Sequence, residues 1–113
     1  MPRAYYPRRG DVVWLRFDPR AGHEQAGLRP ALVLSPQRYN RKVGLAVLCP
    51  ITSKVKGYPF EVALPAGLDV TGVVLSDQVK NLDWRARRAS FACQAPRETV
   101  GEVLGKLAAL FEL

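Results

Sequence analysis

The sequence predicts a mainly β domain completed by one C-terminal helix, an α+β arrangement built on antiparallel strands. Three observations lead there. Short apolar runs recur through most of the chain, separated by Gly, Pro and Asn, the residues that suit tight turns between strands. Some runs alternate apolar with polar residues and others are unbroken, as expected for strands at different depths in a sheet. From Pro96 the period changes, and Val100, Val103, Leu104, Leu107, Ala108 and Phe111 recur at helical spacing.

Along the chain, "DVVWLRF" (Asp11 to Phe17) sets Val13, Leu15 and Phe17 against Val12, Trp14 and Arg16, which leaves one face wholly apolar. "PALVLS" (Pro30 to Ser35) is continuously apolar and reads as a central strand, with its proline at the leading end where a strand tolerates one. "GLAVLCPIT" (Gly44 to Thr52) reads the same way and ends near Pro50. "FEVAL" (Phe60 to Leu64) alternates, with Phe60, Val62 and Leu64 inward. "VVLSDQVKNL" (Val73 to Leu82) begins as a strand and then turns polar. In the final helix Pro96 suits the first turn, and Glu98 and Glu102 lie near the positive end of the helix dipole. The helix is expected to pack on a curled sheet.

A chain of 113 residues, 48% of them apolar, fits one domain with a real core, and a partner subunit would add burial that so small a domain lacks. No stretch approaches the roughly 18 apolar residues of a membrane span. "MPRAYYPRRG" is basic but has no apolar secretion segment, so a cytoplasmic protein is expected. Cys49 and Cys93 are far apart, and His23 is the only histidine, so no zinc site of ordinary spacing can form and neither metal nor cofactor is expected.

The net charge is +7, and its distribution is more informative than its size. Between Glu24 and Glu61 no acidic residue occurs, yet Arg29, Arg38, Arg41, Lys42, Lys54 and Lys56 all do. Arg85, Arg87 and Arg88 form a second cluster. Like charges at this density repel, so either a polyanion is the partner or the surface is simply a cationic one.

Arg29 precedes Pro30, which biases it towards extended backbone, and Thr52 closes the Gly44 run. Both fall at strand ends, where small β scaffolds commonly carry binding groups. On neighbouring strands, a guanidinium and a hydroxyl could converge on a phosphate. Arginine matches phosphate oxygens in a bidentate way and stays charged at physiological pH. When RNA is cut by its own 2′-hydroxyl, phosphorus passes through a five-coordinate state of added negative charge, and fixed donors stabilise it. A lone histidine excludes a two-histidine acid–base pair. Glu24 is a candidate base, as is a substrate phosphate oxygen; His23 has a suitable pKa but sits in a Gly-flanked loop. These spacings alone describe a nucleic-acid-binding β domain with nuclease chemistry as an option.

The segments "RGDVVWLRFDP", "GHEQAGLRPALVLSP", "YN", "CPITSKVKGYPFEV" and "VVLSDQVKNLDWRAR" together resemble the MazF/PemK toxins of bacterial toxin–antitoxin pairs, in order from about Arg9 to Arg87, with the MazF branch the better match. The resemblance implies a single domain over 1–113, an SH3-like antiparallel β barrel at about 9–92 with a helix at about 96–112, working as a homodimer. It implies a metal-independent endoribonuclease that cuts single-stranded mRNA at short motifs, leaving a 2′,3′-cyclic phosphate and a 5′-hydroxyl. The family's catalytic pair falls here on Arg29 and Thr52, and the "EQAG" loop points to Glu24 and Gln25 as substrate contacts. Ser53, Lys56, Gln78 and Lys80 are further RNA-binding candidates. Phe17 could stack a base but, as an inward strand member, is more simply core; Trp14 and Trp84 read as packing or interface residues. The implied protein partner is a MazE-like antitoxin with an acidic, flexible tail that occupies the RNA groove. Two other readings share the features: a CcdB-like gyrase poison, for which the Arg29 and Thr52 motifs have no use, and a passive RNA-binding barrel, which explains the charge but not that pairing.

Overall fold

The computed structural model describes residues 4–17 and 27–113. Among these residues seven strands form one antiparallel sheet: β1 (Asp11–Arg16), β2 (Leu28–Val33), β3 (Leu45–Thr52), β4 (Glu61–Ala63), β5 (Val73–Leu75), β6 (Lys80–Asp83) and β7 (Ser90–Gln94). Helix α1 (Gln37–Val43) lies between β2 and β3, and α2 (Arg97–Leu110) ends the chain. The strand order is β4-β5-β3-β2-β1-β7, with β6 paired to β3 off this path.

The sheet is buried on both faces, which explains the unbroken apolar runs. Alternation in β1 sends Val12 to one core with Leu32, Cys49, Ile51, Val74 and the α2 residues Val100, Val103 and Leu107. It sends Val13 and Leu15 to a second core with Ala31, Val33, Ala46, Leu48 and Trp84. Periodicity alone marks only the Val13 face of β1 as wholly apolar; Val12 and Val13 are in fact both almost fully buried. β2 lies between β1 and β3, the central place its continuous apolar run predicts.

β3 is the strand on which the others converge. Leu45 to Leu48 pair with β6, Ala31 to Val33 of β2 pair with Pro50 to Leu48, and Ile51 and Thr52 pair with β5. The strand runs through Pro50 to Thr52, which closes the apolar run in the sequence as well. Pro50 falls between the β6 and β5 ladders, where one edge of the strand changes partner. The run from Val73 to Leu82 divides into β5 and β6 at a turn closed by Gln78 N–H to the Leu75 carbonyl at 3.1 Å.

Two elements go beyond the sequence pattern. Helix α1 follows Pro36 and ends at Gly44, whose φ of 81° is the left-handed cap that glycine adopts without strain. β7 pairs with β1 across a bulge between Val12 and Val13. The final helix, expected at about 96–112, spans Arg97–Leu110, with Pro96 as its N-cap and Glu98 in its first turn. Both cysteines are free, Cys49 buried and Cys93 half-buried. Among the described residues no helix is long and apolar enough to cross a membrane.

Candidate active site

The β2–β3 register brings the two strand-end residues together. Ala31 pairs with Pro50 and Leu32 with Cys49; continued two residues outward, the same register sets Arg29 opposite Thr52. Both line a cavity of about 520 Å³, with Ser53 and Lys54 on the turn that follows β3. Trp14, Leu28 and Pro30 form a second wall, and the Asp69–Thr71 loop a third.

Each group is held in a usable state. Arg29 is exposed, and among the described residues nothing engages its guanidinium. The Thr52 Oγ1 accepts the Lys54 N–H at 3.1 Å, which leaves the hydroxyl proton free to be donated. Phe17 N–H donates to the Gly27 carbonyl at 2.9 Å, closing the base of the β1–β2 connection just ahead of Arg29. Behind Thr52 the chain passes Gly72 so closely that a Cβ there would lie 2.2 Å from the Thr52 carbonyl oxygen.

A smaller cavity of about 230 Å³ adjoins the first and shares Thr52 and Lys54 with it. Lys56, Tyr58 and Gln78 are on its walls. The Glu61 carboxylate accepts the Lys56 and Gly57 N–H groups at 3.1 and 2.9 Å, and Lys106 of α2 donates to the Pro59 carbonyl at 2.6 Å. These bonds anchor the loop after β3, so Lys54 and Lys56 project from a fixed backbone.

Of the residues singled out in the sequence, Arg29, Thr52 and Ser53 share the larger cavity, and Lys56 and Gln78 the smaller. Lys80 lines neither; it is exposed on β6 opposite Leu48. Phe17 lines neither as well and packs half-buried against the second core. His23, Glu24 and Gln25 lie outside the described residues. Trp14, expected as a packing or interface residue, touches the main core and also walls the cavity. Trp84 is packing, buried in the second core. The Asp69–Thr71 wall carries no sequence signal, because only folding brings that loop beside β2. The second basic cluster divides by role: Arg87 Nη1 donates to the Arg16 carbonyl at 3.0 Å and also to the Phe17 carbonyl, fastening the end of β1. Among the described residues no three His, Cys, Asp or Glu side chains gather as metal ligands.

An antiparallel β domain with a terminal helix, presenting an arginine and a hydroxyl in one cationic cavity, has the features of a phosphodiester-binding protein. The family model for PemK-like, MazF-like toxins of type II toxin–antitoxin systems matches residues 8–111, and the chain belongs to that family. It is 53% identical over 90 residues to the endoribonuclease toxin MazF of Escherichia coli strain K12, covering 80% of each chain. The crystal structure of MazF (Form-I) from Deinococcus radiodurans superposes with a TM-score of 0.89 at 56% identity, over 97% of this chain and 100% of that one. A MazE–MazF structure (Form-III) from the same organism gives a TM-score of 0.89 at 54% identity, over 96% and 99%.

Proposed function

We propose that the protein is the toxin of a toxin–antitoxin pair, a metal-independent, sequence-specific endoribonuclease that cuts single-stranded mRNA and so arrests translation and growth. The observation that carries this reading is the meeting of Arg29 and Thr52 in one cavity, where among the described residues nothing engages the guanidinium and nothing accepts the hydroxyl proton. In the reaction the 2′-oxygen bonds to phosphorus as its proton passes to a base. The bond to the 5′-oxygen then breaks, and that oxygen takes up a proton. The products are a 2′,3′-cyclic phosphate and a 5′-hydroxyl. Arg29 offers two N–H groups to the non-bridging oxygens where negative charge accumulates, and Thr52 adds an O–H donor. Glu24 or a substrate phosphate oxygen serves as base. Gln25, Ser53, Lys56, Gln78 and Lys80 hold the RNA on either side of the cut, while Phe17 stays with the core unless a base reaches its ring.

The family relationship supports the remaining parts of the reading. The whole chain, 1–113, acts as one domain whose curled sheet takes the SH3-like barrel form, and two copies form a cytoplasmic homodimer. A MazE-like antitoxin covers the cationic groove with an acidic tail, as the MazE–MazF complexes of Deinococcus radiodurans suggest by analogy.

The test is incubation with a long single-stranded RNA in EDTA beside Arg29→Ala and Thr52→Ala variants. The parent should cut, and each variant should lose roughly 10²–10³ in rate, the usual cost of one donor at an oxyanion. Cutting only when divalent metal is added would overturn the mechanism. Failure to cut any RNA, with binding retained, would leave a passive RNA-binding protein, and gyrase inhibition without cleavage would indicate a poison of the CcdB kind.

A further inference from the structure

A second cationic surface lies at the other end of β2. Arg38, Arg41 and Lys42 are exposed on α1 at positions i, i+3 and i+4, so they are neighbours on one helix face. With Gln37 they line a concavity of about 480 Å³ that contains no apolar side chain. Like charges at this spacing destabilise a helix, and the first turn of α1 carries no acid to offset them.

Two guanidiniums on this side, those of Arg41 and Arg85, are held in place. Arg41 stacks over the Tyr6 ring at 4.9 Å, and Arg85 lies over the same ring at 5.7 Å and over Trp84 at 5.1 Å. Tyr6 meets Trp84 edge-on at 5.9 Å, and Trp84 Nε1 donates to the Asn40 carbonyl at 2.9 Å. Gln37 Nε2 donates to the Tyr6 carbonyl at 3.0 Å. One aromatic platform thus fixes two guanidiniums relative to each other and to α1. Asp83, the acid adjacent in sequence to this platform, directs Oδ1 to the Ala86 N–H at 2.9 Å. Among the described residues no salt bridge neutralises Arg38, Arg41, Lys42 or Arg85.

The surface shares a face of the sheet with Arg29, whereas the Trp14, Ile51 and Val70 walls of the cavity go with the first core. Arg29 is paired with Leu15 and Lys80 with Leu48, and both partners belong to the second core, to which Trp84 also belongs and against which Tyr6 packs. A line of cations therefore runs along that side from Arg29 past Lys80 to Arg85 and Arg41. Extended chain rises about 3.3 Å per residue, so α1 stands on the order of 20 Å from Arg29, several nucleotides along a strand.

We propose that the α1 face and Arg85 form an auxiliary site for the sugar–phosphate backbone of single-stranded RNA, engaging nucleotides that flank the cut. Stacked guanidiniums keep their N–H edges free, and ordering them in advance lowers the entropy lost when a phosphate binds. The concavity is lined by polar and cationic side chains alone, which complements a phosphate backbone, and the largely apolar cavity beside it shares only Arg38 with it. Binding to phosphate alone confers no sequence preference, so this site adds affinity for length and leaves the cleavage motif to the cavity.

The inference rests on the ribonuclease reading, and the experiment separates the two. Binding is measured with random-sequence 2′-O-methyl RNA, which cannot be cut by its own hydroxyl, at two lengths: about 6 nucleotides and about 20, bracketing single-strand site sizes of about 4–16. The variant is Arg38→Ala/Arg41→Ala/Lys42→Ala, whose alanines favour the helix, with folding checked by circular dichroism. The parent should bind the longer RNA at least tenfold tighter per molecule. The variant should lose that advantage while keeping its affinity for the short RNA. Its salt slope on the long RNA should flatten by about 2, as expected when three single-strand phosphates are no longer neutralised. Equal loss at both lengths, or no loss, overturns the proposal. So does a variant that binds long RNA normally but no longer binds a polyglutamate peptide, which would assign the face to an acidic protein segment. Cleavage of unmodified RNA by the parent, read in parallel, reports on the ribonuclease reading alone.

Discussion

Thr52 owes its position to a glycine in a distant part of the chain. Gly72 has a φ of 125°, and a side chain there would meet both the Thr52 carbonyl and the Ser53 backbone. Gly72→Ala combines an unfavourable backbone conformation, costing about 1–3 kcal/mol, with a collision against backbone that cannot rotate away. The expected result is a destabilised but foldable protein in which the end of β3 has shifted. RNA cleavage should fall at least tenfold, measured at a temperature where circular dichroism shows the variant folded. Unchanged cleavage in the folded variant would mean that the position of Thr52 does not depend on this close approach. Arg29 is legible in the sequence because a charge ahead of a proline in an apolar run is conspicuous. Gly72 is not, since its role is set by a stretch of backbone that reaches it only after folding.

Helix α1 is secured by one buried side chain. Asn40 is fully buried and donates to the carbonyls of Pro7 and Ser35 at 2.9 and 3.0 Å, and its Oδ1 accepts the Ser35 hydroxyl. Ser35 Oγ in turn accepts the Val47 N–H at 2.8 Å, so the helix, β3 and the N-terminal segment are joined through one residue. Asn40→Ala leaves several of these groups unpaired, at a cost of about 2–3 kcal/mol. A fall in Tm on the order of 10 °C is expected; a change within about 1 °C would show that water replaces the network. The helix is hard to see in the sequence because seven mostly polar residues show little apolar periodicity, although Pro36 and Gly44 bracket it. β7 is obscure for a related reason. It has Ala92 and Cys93 against the core but exposes Phe91, so the expected alternation is reversed at its largest residue.

A buried thiol and a partly buried phenol make the whole molecule less stable at alkaline pH. Tyr5 donates its hydroxyl to Asp11 Oδ2 at 2.7 Å; burial first, then that bond and the Asp11 charge, raise its pKa far above the usual 10.0. Burial first, and the Asp77 charge second, push the Cys49 thiol from 9.0 up to about 12. In both cases the folded form keeps a proton that the unfolded chain releases, so the contribution is fully present below about pH 9 and declines as pH rises beyond it. Urea unfolding should accordingly show lower stability at pH 11 than at pH 8.5, and Tyr5→Phe should lessen the difference. In the native protein at pH 8, a thiol-alkylating reagent should modify Cys93 well before Cys49, as read by peptide mass spectrometry. Equal rates at the two cysteines would contradict the burial of Cys49.

Periodicity and turn residues are local signals, and they suffice for the β-rich class, the central place of β2, a C-terminal helix from about residue 96, and the two strand ends that hold Arg29 and Thr52. Folding alone brings Arg29 and Thr52 to one cavity, sets the Asp69–Thr71 loop as its wall, and has Arg87 fasten β1 while Arg41 and Arg85 share one aromatic platform. Strand register and loop packing depend on residues far apart in the chain meeting one another, and a cation's role is set by the neighbours it acquires when they do.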